Sequence, residues 1–178
     1  MVEAYSGAIA RDGNFANDYF WRAYDLGDHK KAIADYTKAI ELDPEDATIN
    51  NNRGYAYVDL GEHEKAIADF NTAIELDPKY AMAYNNRGFT YQKQEEYEKA
   101  LADFNTAMEL EPKYSNPHRH RGNVYYKLKD YPKALDALTE AIRLDPKYKD
   151  VYADRARVHR AMGQEALAQA DEEQAAKL

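Results

Sequence analysis

The sequence predicts an all-α chain, an α-solenoid of about five helix-turn-helix units. Three observations predict it. Pro44, Pro78, Pro112 and Pro146 stand thirty-four positions apart, and each closes a near-identical phrase: ELDP, ELDP, ELEP and RLDP. Between the prolines, apolar and small residues recur at spacings of three and four, the period of one helix face. Glycine falls midway between two such stripes at Gly27, Gly61 and Gly163. Self-similarity at a fixed period marks a chain whose units pack only on their neighbours.

Counted back from the prolines, the units are 13–46, 47–80, 81–114, 115–148 and a shortened 149–178. In the third, Ala81, Tyr84, Gly88 and Tyr91 make one helical stripe, and Tyr97, Ala100, Leu101, Phe104, Ala107, Met108 and Leu110 make the second. Gln94-Glu95-Glu96 breaks them apart. Pro112 ends the second helix, because proline lacks a donor and disfavours helix in the residue before it. The midway glycines suit a turn that needs positive φ. Glu95 and Lys129 replace that glycine and predict a different turn geometry in their units. Pro117 and Pro132 fall near helix starts, where proline is tolerated. In the first unit Phe20 stands where Gly54 and Gly88 stand, and Ala23 where Tyr57 and Tyr91 stand, so either the packing compensates or the helix is shifted in register. Residues 1–12 match no unit and are either part of an upstream helix or a disordered tail.

Composition narrows the function classes. The chain has 178 residues, 44% apolar and 31% charged, with a net charge of −8. That balance disfavours broad nucleic-acid binding, which needs a basic footprint. No apolar run approaches the ~20 residues that span a bilayer, and mean hydropathy is −0.85. No secretory leader is visible, which favours a cytoplasmic location. Cysteine is absent, so neither a disulfide framework nor a thiolate metal site exists. No phosphate-binding loop, dinucleotide fingerprint, zinc-protease motif or nucleophile elbow occurs, and no carboxylate pair is isolated for acid–base work. His118 and His120 form H-x-H, but residues two apart on a helix point to different sides. The expectation is a non-enzyme with no cofactor and no metal.

The pattern resembles the tetratricopeptide repeat. In the second unit the matching residues are Arg53, Gly54, Tyr57, Ala66, Phe70, Ala73 and Pro78. In the third they are Tyr84, Arg87, Gly88, Tyr91, Ala100, Phe104, Ala107 and Pro112, and in the fourth His118, Arg121, Gly122, Tyr125, Ala134, Leu138, Ala141 and Pro146. The resemblance implies a right-handed superhelix whose first helices line a concave groove. It places Asn17, Asn51, Asn85 and Arg119 at one level of that groove, with Asp18, Asn52, Asn86, His120 and Asp154 at the next. Trp21, Tyr55, Phe89, Asn123 and Arg157 follow, and then Tyr24, Val58, Gln92, Tyr126 and Arg160. Asparagine is a mediocre helix former whose amide both donates and accepts, so a ladder of them suits the backbone of an extended peptide. Trp21, Tyr55 and Phe89 would form an apolar strip beside it. Arg119, His120, Asn123, Arg157 and Arg160, with Arg155 as a further candidate, would form a basic patch for an acidic side chain or a free C-terminus. The lysine and asparagine pattern of co-chaperones that clamp heat-shock tails is not present: Asn17 and Trp21, or Asn51 and Tyr55, stand in its place.

Arg53, Arg87, Arg121 and Arg155 recur at one position and Asp35, Asp69 and Asp103 at another. Counting suggests that each arginine pairs back to the preceding unit, as Arg53–Asp35, Arg87–Asp69 and Arg121–Asp103, leaving Arg155 opposite Ala137. The functional expectation is a monomeric protein-interaction module, an adaptor or scaffold that binds an extended peptide or protein segment. The alternatives are a structural or self-associating module and the recognition arm of a larger enzyme.

Overall fold

The computed structural model describes all residues from Met1 to Leu178. It is all-α, with eleven helices packed in consecutive antiparallel pairs. They are α1 (Val2–Arg11), α2 (Ala16–Asp25), α3 (His29–Leu42), α4 (Ala47–Asp59), α5 (His63–Leu76), α6 (Ala81–Lys93), α7 (Tyr97–Leu110), α8 (Ser115–Lys127), α9 (Tyr131–Leu144), α10 (Lys149–Ala161) and α11 (Glu165–Ala176). The chain forms two compact units, Met1–Thr90 and Tyr91–Leu178. In the first, α1 packs on α2, α2 on α3, α3 on α4 and α4 on α5; in the second, α7 through α11 pack each on the next. The first twelve residues are therefore largely helical, as α1, although α1 buries no residue. No helix is long and apolar enough to cross a membrane.

The repeated phrases stop the helices. At Asp43, Asp77, Glu111 and Asp145 the last backbone N–H reaches the carbonyls of Ala39, Ala73, Ala107 and Ala141, and the following proline prevents continuation. The Asp77 and Asp145 side chains then accept the N–H groups of Lys79 at 2.9 Å and Lys147 at 3.0 Å, closing turns that lead into the next helix. Asp28, Asp46 and Asp130 cap α3, α4 and α9 by accepting otherwise orphaned N–H groups.

The inter-helix turns correct one expectation. Glu95 (φ 61°) and Lys129 (φ 60°) adopt the same left-handed backbone as Gly61 (φ 75°) and Gly163 (φ 74°). All four turns share one hydrogen-bond pattern. Glu62, Glu96, Asp130 and Gln164 donate back to Tyr57, Tyr91, Tyr125 and His159, each at 2.9 Å. This six-to-one bond and the inner bond beside it satisfy the last carbonyls of the first helix, and the geometry holds whichever residue occupies it. Gly27 does not take positive φ, because α2 ends differently.

The small residues of each repeat are packing positions. A Cβ at Gly54 would stand 2.8 Å from Phe70 Cε1, and one at Gly122 would stand 2.7 Å from Leu138 Cγ. Phe70, Leu138, Ala66, Ala134, Ala73 and Ala141 are fully buried behind them. The first repeat is shifted. Arg22 grips Asp35 thirteen positions on, whereas Arg53 grips Asp69 sixteen positions on, and Ala23 is buried as Gly54 is. α2 has 10 residues against 13 in α4, so it lacks one turn beyond the arginine. Read with that shift of three, Ala23 matches Gly54 and the exchange of large and small residues disappears.

Candidate functional site

The asparagines of α4 and α6 form a ladder, but one turned inward. Asn51 and Asn85 are 1% and 3% exposed. Asn85 Nδ2 donates to Asn86 Oδ1 at 3.2 Å, Asn86 Nδ2 to Asn51 Oδ1 at 3.0 Å, and Asn51 Nδ2 to Asn52 Oδ1 at 3.4 Å. The expectation that Asn51 and Asn85 are open rungs is thus corrected. An amide caught between adjacent helices needs partners there, and the Nδ2 groups of Asn51 and Asn85 find them in neighbouring asparagines, while the Asn85 Oδ1 stays buried without one. Asn52 and Asn86 remain half-exposed, and the Asn52 Nδ2 group has no partner inside the protein. Asn17 is exposed but does not continue the ladder, because the shift of α2 puts Phe20 at the level of Asn51.

The aromatic residues divide. Trp21, Tyr24 and Tyr55 are 46%, 63% and 48% exposed. Trp21 meets Phe20 edge-on at 5.0 Å and Tyr24 at 5.9 Å, so the rings hold one another while leaving faces open. Beside them lies a cavity of about 190 Å³ whose lining includes Tyr24, Tyr36, Tyr55, His29 and Asn52. Burial raises the Tyr55 phenol above its ordinary range and pushes Tyr36 up to about 12. Both are neutral hydroxyls at neutral pH. Phe89 does not extend the open strip. It packs on the cluster of Val58, Ala66 and Phe70 and is partly buried.

The basic patch at the C-terminal end is closed by its own carboxylates. Asp154, 6% exposed, accepts from Arg119 Nε at 2.6 Å, Asn123 Nδ2 at 2.8 Å and Arg157 Nη2 at 2.6 Å. Arg119 also donates to the Tyr148 hydroxyl at 2.8 Å and lies 3.2 Å from Asp150. Arg160 is engaged by Glu172 through two bonds of 2.6 and 2.7 Å. The expectation of a free cationic receptor is corrected accordingly: three of its members converge on one buried carboxylate. The sequence held a signal for this, since Asp154 and Arg157 are three apart on one helix face. His120 stacks on Phe104 at 5.5 Å, and burial pushes its pKa down to about 4, so it is an uncharged packing residue.

The arginine–aspartate ladder runs the other way from the count. Arg53 binds both oxygens of Asp69 at 2.7 Å, and Arg155 binds both oxygens of Asp171 at 2.8 and 2.6 Å. The partner is the second helix of the same repeat. Each arginine also reaches back with Nη1: Arg53 to Thr37, Arg87 to Asn71, Arg121 to Asn105 and Arg155 to Thr139. The pairs Arg53–Asp35, Arg87–Asp69 and Arg121–Asp103 do not form, and Arg155 is not unpartnered.

Known proteins share the repeat pattern and the fold. Two family models match, one described as TPR repeat at residues 22–61 and 54–95, the other as Tetratricopeptide repeat at residues 79–147. No curated protein matches the chain in sequence. Among solved structures, TTC0263, a thermophilic TPR protein of Thermus thermophilus, superposes with a TM-score of 0.80 at 22% identity, covering 91% of this chain and 90% of that one. YrrB, a TPR protein with an unusual peptide-binding site, gives 0.68 at 22% identity, covering 98% and 92%. The APC/C hetero-tetramer Cut9-Hcn1 gives 0.88 at 22% identity, covering 98% of this chain and 35% of that one.

Proposed function

Because the chain belongs to the tetratricopeptide-repeat family, a family of protein-interaction scaffolds, we propose that it is a non-catalytic module that holds an extended peptide segment against the first helices of its N-terminal unit. The observation that carries the reading is the group of Trp21, Tyr24 and Tyr55. This chain buries its alanines completely in the repeat cores, yet leaves three large rings half-open, Tyr24 and Tyr55 on the wall of a cavity and Trp21 against Tyr24 beside it. Exposed aromatics bring large contact area at little cost in side-chain entropy and dominate many interfaces. Asn52, with a free amide donor on the cavity wall, supplies the hydrogen bond that fixes a peptide carbonyl. The buried asparagines Asn51 and Asn85 serve by holding Asn52 and Asn86 in place. That the solved structure YrrB is described as having a peptide-binding site supports a peptide as the ligand class for this chain.

Trp21 is the single tryptophan, so its emission reports on this face without labelling. Peptides selected from a random decapeptide library on the immobilised chain should shift Trp21 emission saturably. Tyr55→Ala should weaken them about tenfold, on the order of 1.4 kcal/mol. Selected peptides that bind Tyr55→Ala and Tyr24→Ala as tightly as the native chain would overturn the assignment.

A further inference from the structure

One arginine of the ladder lacks its carboxylate. Arg22, Arg53 and Arg155 each present Nε and Nη2 to both oxygens of an aspartate, at 2.5 to 2.8 Å. Arg121 on α8 stands at the same repeat position and keeps the backward bond to Asn105 at 3.3 Å. Sixteen residues on, where Arg53 and Arg155 find Asp69 and Asp171, the chain has Ala137, 1% exposed. The Arg121 Nε is buried with no hydrogen-bond partner. A second substitution accompanies the first. Tyr19, Tyr84 and Tyr152 lie beneath the guanidinium groups of Arg22, Arg87 and Arg155, but the residue at that place before Arg121 is His118. His118 is 9% exposed, and its Nδ1 also lacks a partner. Arg121 and His118 open together onto a cavity of about 310 Å³ at the seam of α7 and α8, completed by Asn105, Met108 and Glu109.

We propose that Arg121 and His118 form a receptor for a single carboxylate of a partner protein, which reaches the guanidinium from the α7–α8 seam and supplies the counter-ion that an aspartate of the second helix supplies to Arg53 and Arg155. The charge balance selects the ligand. Glu140 of α9 is near enough to act on both groups, but it is held by Arg143 through two bonds of 2.8 and 2.6 Å. Arg121 therefore has no carboxylate paired with it, and a part-buried guanidinium without a bonded counter-ion costs free energy that an arriving carboxylate recovers. Glu109 at the rim makes the site unsuited to a dianion such as phosphate. Burial and the charge of Arg121 hold the His118 pKa below 6.5, so its neutral ring has one N–H to give. Arg121 and Asn123 lie two apart on α8 and face different ways, so this receptor is separate from the Asp154 network and independent of the aromatic face.

The test is a side-chain NMR titration of the full chain at constant ionic strength, following the Nε–H resonance of Arg121. Acetate should move it saturably in the tens of millimolar, and inorganic phosphate should not. A five-residue peptide with one central glutamate and blocked ends, and an all-alanine peptide with a free C-terminus, separate the two sources of carboxylate; a shift with either supports the site. Ala137→Asp should place the Arg121 resonance beside those of Arg53 and Arg155 and abolish the response to acetate. A resonance unmoved by acetate and by both peptides overturns the proposal. So does a shift with phosphate alone, or an Ala137→Asp chain that still responds.

Discussion

Replacing Lys129 by glycine should stabilise this protein, although it removes a whole side chain. Lys129 sits at φ 60° in a turn whose counterparts use Gly61 at 75° and Gly163 at 74°. A left-handed backbone costs an L-residue about 1–2 kcal/mol. Glycine avoids that cost but loses roughly 0.5–1 kcal/mol more conformational entropy on folding. The difference leaves a net gain of about 0.5–1 kcal/mol for Lys129→Gly. Little is lost with the side chain, because Lys129 is exposed. Glu95→Gly should gain a similar amount, and the two should add, since the turns share no partner. The double variant is therefore worth about 1–2 kcal/mol, or roughly 2–8 °C in Tm for a chain of this size. Gly163→Ala supplies the opposite sign in an equivalent turn. Urea unfolding followed by far-ultraviolet circular dichroism reads all three. If the glycine variants are neutral or weaker while Gly163→Ala costs nothing, the backbone of these turns carries no strain and the reasoning fails.

Three further outcomes follow from the packing. Gly54→Ala should cost about 1–3 kcal/mol in urea unfolding, because its Cβ would meet the buried Phe70 ring at 2.8 Å. A double-mutant cycle on Arg53 and Asp69 should give a coupling above about 1 kcal/mol, whereas the cycle on Arg53 and Asp35 should give one near zero; the reverse result would restore the backward pairing. His120 should make the protein acid-sensitive. Its folded pKa of about 4 lies below the ordinary 6.5, so the unfolded chain binds its proton first as pH falls. Its contribution is present in full above pH 6.5 and is lost between 6.5 and 4, roughly 3 kcal/mol in all. His120→Phe should flatten the stability–pH curve across that window, and an unchanged slope would show that the ring is solvated.

The repeat, the helix pairs and the core residues are legible because they depend on period, and period survives in a single sequence. Proline at the helix ends and the small residues opposite Phe70 and Leu138 are readable for the same reason. The turns at Glu95 and Lys129 escape a reading of the sequence because a residue preference is not a requirement. Four turns with the same flanking helices keep the same backbone, and the hydrogen bonds to Tyr91 and Tyr125 impose it on residues that would not choose it. The candidate face is legible only in its aromatics. Exposure of Tyr55 follows from its helix phase, whereas Trp21 stands at the level of Asn52 once α2 is shifted by three, and burial of Asn51 and Asn85 depends on how closely α4 and α6 approach, a distance the sequence alone does not state.

The ion pairs show the limit most sharply. Asp35 precedes Arg53 by eighteen positions and Asp69 follows it by sixteen, so counting alone makes both aspartates candidates. What separates them is which side of the first helix faces its own hairpin partner and which faces the helix before it. The structure gives the strong, two-pronged bond to the hairpin partner and the single Nη1 bond to the preceding repeat. Arg53 and Arg155 thereby lock a hairpin first and join it to its neighbour second. That order explains why Ala137 matters. Losing the aspartate in one repeat leaves the weaker link to Asn105 intact, so the neighbouring helices stay joined while one guanidinium is released for a partner from outside.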